Sequence, residues 1–129
     1  MHPYIHAKKN PNKPALIMAS SGEITTYKEL DERSNQIAHL FRQKGLKVGD
    51  GISIFMENNS RFLEICWAAQ RSGLYFTPIS SKLTAAEVKY IHDDCNSKFL
   101  ISSKYLKNVA NETFQLTKKT KHHYMVDGV

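Results

Sequence analysis

The chain has 129 residues, 41% of them hydrophobic and 23% charged, with a formal net charge of +6. That is apolar material for one compact core and too globular a balance for disorder. No apolar stretch approaches the about 20 residues of a bilayer span, and no signal-peptide pattern follows Met1, so a soluble cytoplasmic protein is expected.

The basic excess sits late in the chain, where Lys98, Lys104, Lys107, Lys118, Lys119 and Lys121 face a single acid, Glu112. Few arginines and no interleaved aromatics accompany them. A solvated lysine-rich face is therefore expected rather than a nucleic-acid site. Two cysteines, Cys66 and Cys95, fall in helical patterns and read as buried free thiols of a reducing compartment.

In chain order, residues 1–12 are polar and proline-containing and read as a flexible surface lead-in. Residues 14–19 and 23–25, joined by Ser21-Gly22, predict a β-hairpin. Thr26 and Glu29 have capping-box spacing, and Leu30, Ser34, Ile37, Ala38 and Phe41 recur on one helical face that ends at Gly45. Asp31, Glu32, Gln36 and Arg42, on the other face, should meet water.

After Gly49-Asp50, residues 51–56 form a short, nearly all-apolar run, the signature of a parallel strand covered on both faces. Asn58-Asn59-Ser60 is placed to cap a second helix. Its stripe is Phe62, Ile65, Cys66 and Ala69, widened by Leu63 and Trp67, and Gly73 stops it. Residues 74–79 predict a strand in which Pro78 marks an end or an edge. Thr84 and Glu87 repeat the capping box, Leu83 and Val88 stand as a hydrophobic staple, and Val88, Ile91 and Cys95 continue a buried stripe. A strand over 98–102, a helix over 106–116 and a strand over 123–126 complete the pattern. The predicted fold is α/β: an N-terminal hairpin, then alternating helices and mostly parallel strands, with helices on both sheet faces.

Candidate chemistry is sparse. His122 and His123, adjacent on a strand, point to opposite faces and cannot easily share one metal ion. His2, His6, His39 and His92 have no ligand partner at helical spacing and read as surface residues. Asp93-Asp94 reads as charge at a helix end. Ser80, Ser81, Ser102 and Ser103 stand at strand-to-helix junctions, but no histidine lies near any of them in a sequence pattern that would activate it. Neither a dinucleotide-binding glycine pattern nor a P-loop is present. The residues alone describe a soluble α/β segment without a catalytic constellation. A stand-alone, flavodoxin-like, non-catalytic binding or signalling module fits that description.

Three stretches carry more. Ile24-Thr25-Thr26-Tyr27-Lys28-Glu29-Leu30, Gly49-Asp50 with Asn58, and Ala68-Ala69-Gln70-Arg71-Ser72-Gly73 running into Pro78-Ile79 resemble conserved units of the N-terminal region of AMP-forming acyl-CoA synthetases. The wording around residues 71–95 is most similar to the fatty-acyl-CoA ligase branch. Where that family carries Asn or Asp after Pro-Ile, this chain has Ser80.

The resemblance implies that residues 1–129 are the N-terminal part of the large domain of a ligase using ATP, Mg²⁺ and coenzyme A. Such an enzyme joins a carboxylic acid, of fatty type, to the coenzyme A thiol through an acyl-adenylate. The phosphate-gripping loop, the metal and ribose ligands and the catalytic lysine would lie beyond Val129. The segment itself is then inactive scaffold, with no catalytic residue and no metal ligand, and binds none of these cofactors tightly. Asn58, Pro78 and Ser80 would wall part of a substrate crevice. Apolar surface left open on such a segment would promote self-association.

Overall fold

A computed structural model of the chain describes residues 2–117, 120 and 122–126. The residues gather into two compact units, 1–46 with 60–72, and 47–59 with 73–129.

The first unit begins with a helix where only a lead-in was expected. α1 spans Pro3–Lys9; His2 Nδ1 accepts from the Tyr4 amide 3.1 Å away, and Pro3 supplies the preset φ of a first helical residue. The ring of His6 lies 5.0 Å from that of Tyr27, and the ring of His2 meets Trp67 edge-on at 4.9 Å. Neither histidine is therefore a free surface group. β1 (Pro14–Ile17) and β2 (Ile24–Thr26) form the antiparallel hairpin.

α2 (Tyr27–Gln43) starts on the complete capping box of Thr26 and Glu29. It ends where the Gly45 amide reaches Arg42 O and the Leu46 amide reaches Phe41 O. That reversal needs the positive φ of 85° at Gly45. Leu30, Ser34, Ala38 and Phe41 are buried as their spacing requires, and Ile37 is half-buried. Asp31 does not simply face water; its carboxylate accepts from Arg71 Nη2 at 2.7 Å.

α3 (Phe62–Arg71) packs on α2 and is the more buried of the two, with Glu64, Ile65, Cys66, Ala68 and Ala69 out of solvent. Asn58-Asn59-Ser60 does not cap it. The N-cap position is Arg61, already helical and without a side-chain cap, while the Asn59 amide group is turned onto Glu57.

The second unit is built on a four-stranded sheet in the order β4-β3-β5-β6: β4 Tyr75–Ile79, β3 Gly51–Phe55, β5 Ser97–Ser103 and β6 His122–Val126, all parallel. β4 is an edge, which accommodates Pro78 opposite Ile54. α4 (Ala85–Asp94), opened by the complete Thr84–Glu87 capping box, packs on α5 (Lys107–Leu116). Both helices lie against one sheet face around Phe55, Ile79, Val88, Leu100 and Ala110, with Leu83 and Ile91 at the margin. Residues of opposite parity, Ile52, Ile54, Phe99 and Ile101, are buried as well, so β3 and the part of β5 beyond Lys98 have no solvent-facing side.

Two expectations are corrected here. His92 is fully buried, not on the surface, because both ring nitrogens find hydroxyl partners inside the unit. Cys95 is exposed, because it lies just past the last turn of α4; Cys66 alone is a buried thiol. Of the lysine-rich face, Lys98, Lys104 and Lys107 are exposed, and Lys118, Lys119 and Lys121 lie outside the described residues.

Candidate functional site

In an open parallel sheet, ligands collect at the carboxyl ends of the strands, at the point where chain connections diverge to opposite sides. Here the chain leaves β3 for β4 on one side and leaves β5 for β6 on the other, so that point lies between β3 and β5. Phe55 is level with both Ile79 and Ser102, which aligns the ends of β3, β4 and β5.

The residues at or just beyond those ends are Met56-Glu57-Asn58, Ser80-Ser81 and Ser103-Lys104. Glu57 occupies the divergence. Its Oε2 accepts from the hydroxyl of Ser103 at the end of β5, and its Oε1 accepts from Asn59 Nδ2 at 3.2 Å. Glu57 is half-buried and Ser103 is buried. The bond joins the segment leaving β3 to the end of β5.

Asn58, Pro78 and Ser80 all lie at this same end of the sheet and are exposed. Pro78 is the penultimate residue of β4. Ser80 shapes the turn into α4: its carbonyl accepts from the Leu83 amide at 3.3 Å and its hydroxyl from the Lys82 amide at 3.4 Å. Sequence reading did not single out Glu57, whose partner lies 46 residues away. The one local signal was an acid directly after an apolar strand.

A serine and a histidine do meet, although no local pattern showed it: Ser102 Oγ lies 2.8 Å from His123 Nε2. Ser102 is wholly buried, so its hydroxyl cannot reach a substrate, and the pair is a structural bond between β5 and β6. His92 makes the second such bond, with Nδ1 2.8 Å from Ser53 Oγ and Nε2 bonded to Thr120 Oγ1. Burial depresses the proton affinity of both imidazoles, and for His92 the nearby Asp93 opposes the effect.

The donor set does not fit a polyphosphate. None of the segments leaving β3, β4 or β5 carries the glycines of a phosphate-cradling turn, and the group at the divergence is itself a carboxylate. Among the described residues no three His, Cys, Asp or Glu side chains gather to hold a metal ion. No helix among them is long and apolar enough to cross a membrane.

The motif residues have structural duties. The Asp50 carboxylate accepts from the Lys47 amide at 2.8 Å and pairs with Lys98 at 2.9 Å; the amide bond first, then Lys98, holds its pKa below the ordinary aspartate value. Gly49 N–H donates to Gly73 O at 2.8 Å. A Cβ on Gly73, whose φ is 71°, would sit 3.0 Å from the Val48 side chain. Thr26 and Glu29 cap α2, and Arg71 holds Asp31.

The sequence model of the AMP-binding enzyme family matches residues 4–128. The chain is 33% identical over 95 residues to the fatty acid–[acyl-carrier-protein] ligase ScoC of Streptomyces coeruleorubidus, a match covering 74% of this chain and 18% of that protein. It is 34% identical over 101 residues to tyrocidine synthase 3 of Brevibacillus parabrevis, covering 78% of this chain and 2% of that one. Among solved structures, the fatty acyl CoA synthetase of Mycobacterium tuberculosis superposes with a TM-score of 0.86 at 22% identity, over 97% of this chain and 26% of its own. The chain thus spans less than a fifth of the length of either of these two curated relatives.

Proposed function

Because the chain belongs to the AMP-binding enzyme family, we propose that it forms the N-terminal scaffold of the large domain of an ATP-dependent, AMP-forming ligase. The ligase joins a carboxylic acid, of fatty type, to coenzyme A through an acyl-adenylate. In this reading residues 1–129 are one continuous part of that domain and residues 1–12 are its lead-in. The observation that carries the proposal is the identity shared with a fatty acid ligase over three quarters of the chain. The geometry supports the division of labour: the family-like motifs are engaged in caps, turns and ion pairs, and the crevice at the sheet's carboxyl edge presents a carboxylate where a phosphate would be repelled.

ATP, Mg²⁺ and coenzyme A then belong to the parent enzyme, and the segment alone is inactive. Asn58, Pro78 and Ser80 wall part of the acyl or coenzyme crevice without taking part in chemistry. Tyr75 and Phe76 on edge strand β4, and Tyr90 on α4, are exposed aromatics through which the isolated segment self-associates. The parent works in the cytoplasm.

A second reading, activation of an amino acid for peptide synthesis, is favoured by the likeness to tyrocidine synthase 3. The coding sequence beyond Val129 tests the proposal. A Ser/Thr/Gly-rich run ending in Pro-Lys-Gly is expected there, followed by a small C-terminal domain with a lysine for adenylation. An unrelated domain in that place would refute the ligase reading. Carboxylate-dependent pyrophosphate exchange by the parent, with fatty acids set against amino acids, decides between the two substrate classes.

A further inference from the structure

We propose that edge strand β6 is fastened to its unit by two histidines acting as an acid-released latch. Protonation of His92 and His123 frees β6 from β5 while β3, β4 and β5 stay assembled.

His92 reaches from α4 to the middle of β3. Its Nδ1 lies 2.8 Å from Ser53 Oγ, and its Nε2 bonds Thr120 Oγ1, two residues before β6 begins. The Thr120 hydroxyl lies 3.5 Å from Ser97 O. With that hydroxyl's proton directed to the carbonyl, Thr120 accepts from Nε2–H, and Nδ1 accepts from Ser53 O–H. The neutral ring thus serves as donor on one side and acceptor on the other. A second proton removes the acceptor and leaves a cation in a site with 0% exposure.

His123 forms the other fastening, within β6 itself, through Ser102 on β5, with the Phe114 ring 5.5 Å away. Strand alternation and register put Ser53, Leu100, Ser102 and His123 on one sheet face, so both imidazoles lie under the same helical cover.

Of the charges around them only Asp93 favours a proton on His92, and burial outweighs it. On α4, Glu87 is held in its helix cap, Asp93 is paired with Lys89, and Asp94 is exposed. On α5, Lys107 and Glu112 are exposed, and on β5 Lys98 is paired with Asp50. Among the described residues no carboxylate bonds either ring. β6 is also the strand most readily lost: among the described residues it is an edge, paired on one side, and all five of its residues are half-buried. The Phe99 ring makes tilted contacts with His122 at 4.9 Å and with Tyr124 at 5.4 Å, which gives β6 a residual hold that these two protonations do not alter.

Burial lowers the pKa of both rings in the closed state, and opening restores the ordinary value near 6.5. Opening therefore takes up protons. The latch is closed above that value and loosens as the pH falls through it.

The test is amide hydrogen exchange of the 129-residue chain, expressed as protection factors, from pH 7.5 to 5.5. Below about pH 6.5 the opening constant of residues 122–126 is expected to rise by up to about tenfold per pH unit for each histidine engaged, while β3 keeps its protection. His123→Gln and His92→Gln should each remove one proton's worth of that slope, and His39→Gln, on the exposed side of α2, none. If His92→Gln fails to fold, the ring protons of His92 in the wild-type chain must titrate together with β6 opening. Loss of protection by β6 and β3 in step would overturn the latch. So would a flat β6 profile, or a slope that His123→Gln leaves intact.

Discussion

Glu57 and Glu64 are both carboxylates drawn out of full solvent, and the partners each finds decide what it does. Glu57 binds neutral groups, a serine hydroxyl and an asparagine amide. Glu64, with a side chain 3% exposed, sits between Arg33 at 3.1 Å and Arg61 at 3.3 Å and ties α3 to α2. Removing one partner of a buried pair is costly because a charge is left without its counterion. Here the surviving arginines are 35% exposed and regain water, so Glu64→Ala should cost about 1–2 kcal/mol in a urea melt, well below the fully buried case. The thiols separate just as cleanly. Cys95 is exposed, whereas burial pushes the Cys66 thiol up to about 11. At pH 8 one thiol per native chain should react quickly with a disulfide reagent, and two after unfolding. His92 could not have been placed from local pattern, since its partners lie 28 and 39 residues away, and of the two arginines on Glu64 only Arg61 is local while Arg33 lies 31 residues off. Isolated polar residues on a helix read as solvent-facing until the chain's long-range contacts are known.

At the scale of elements, local chemistry was legible wherever the stabilising group lies within a few residues. Thr26 with Glu29, Thr84 with Glu87, and the Gly45 reversal are such cases, and all three stand as their spacing implied. The start of α3 shows the limit. Asn58-Asn59-Ser60 has the composition of a cap, but Asn59 is drawn to Glu57 and the helix opens at Arg61 without one. α1 escaped notice for the converse reason: it is only seven residues long, and its cap is a histidine, not one of the usual small polar residues. Thr26→Ala and Thr84→Ala should therefore each lower stability by about 1 kcal/mol, whereas Ser60→Ala should change it by no more than a few tenths. Chemical denaturation of the three variants side by side checks the contrast.

For the whole molecule, alternation of strands and helices announced a parallel sheet, but not the order β4-β3-β5-β6. That order is what brings Glu57 against Ser103, so their bond was invisible before the topology was known. The partition into units that each draw on two stretches of chain is hidden for the same reason. Family-like motifs here maintain backbone geometry, and the groups able to cradle a polyphosphate are not among them. Acid-dependent ATP–pyrophosphate exchange by the purified 129-residue chain, with Mg²⁺ and a fatty acid, puts this most directly to the test. No labelled pyrophosphate should enter ATP above the protein-free blank. Exchange that needs the acid, the metal and the intact chain would contradict the account.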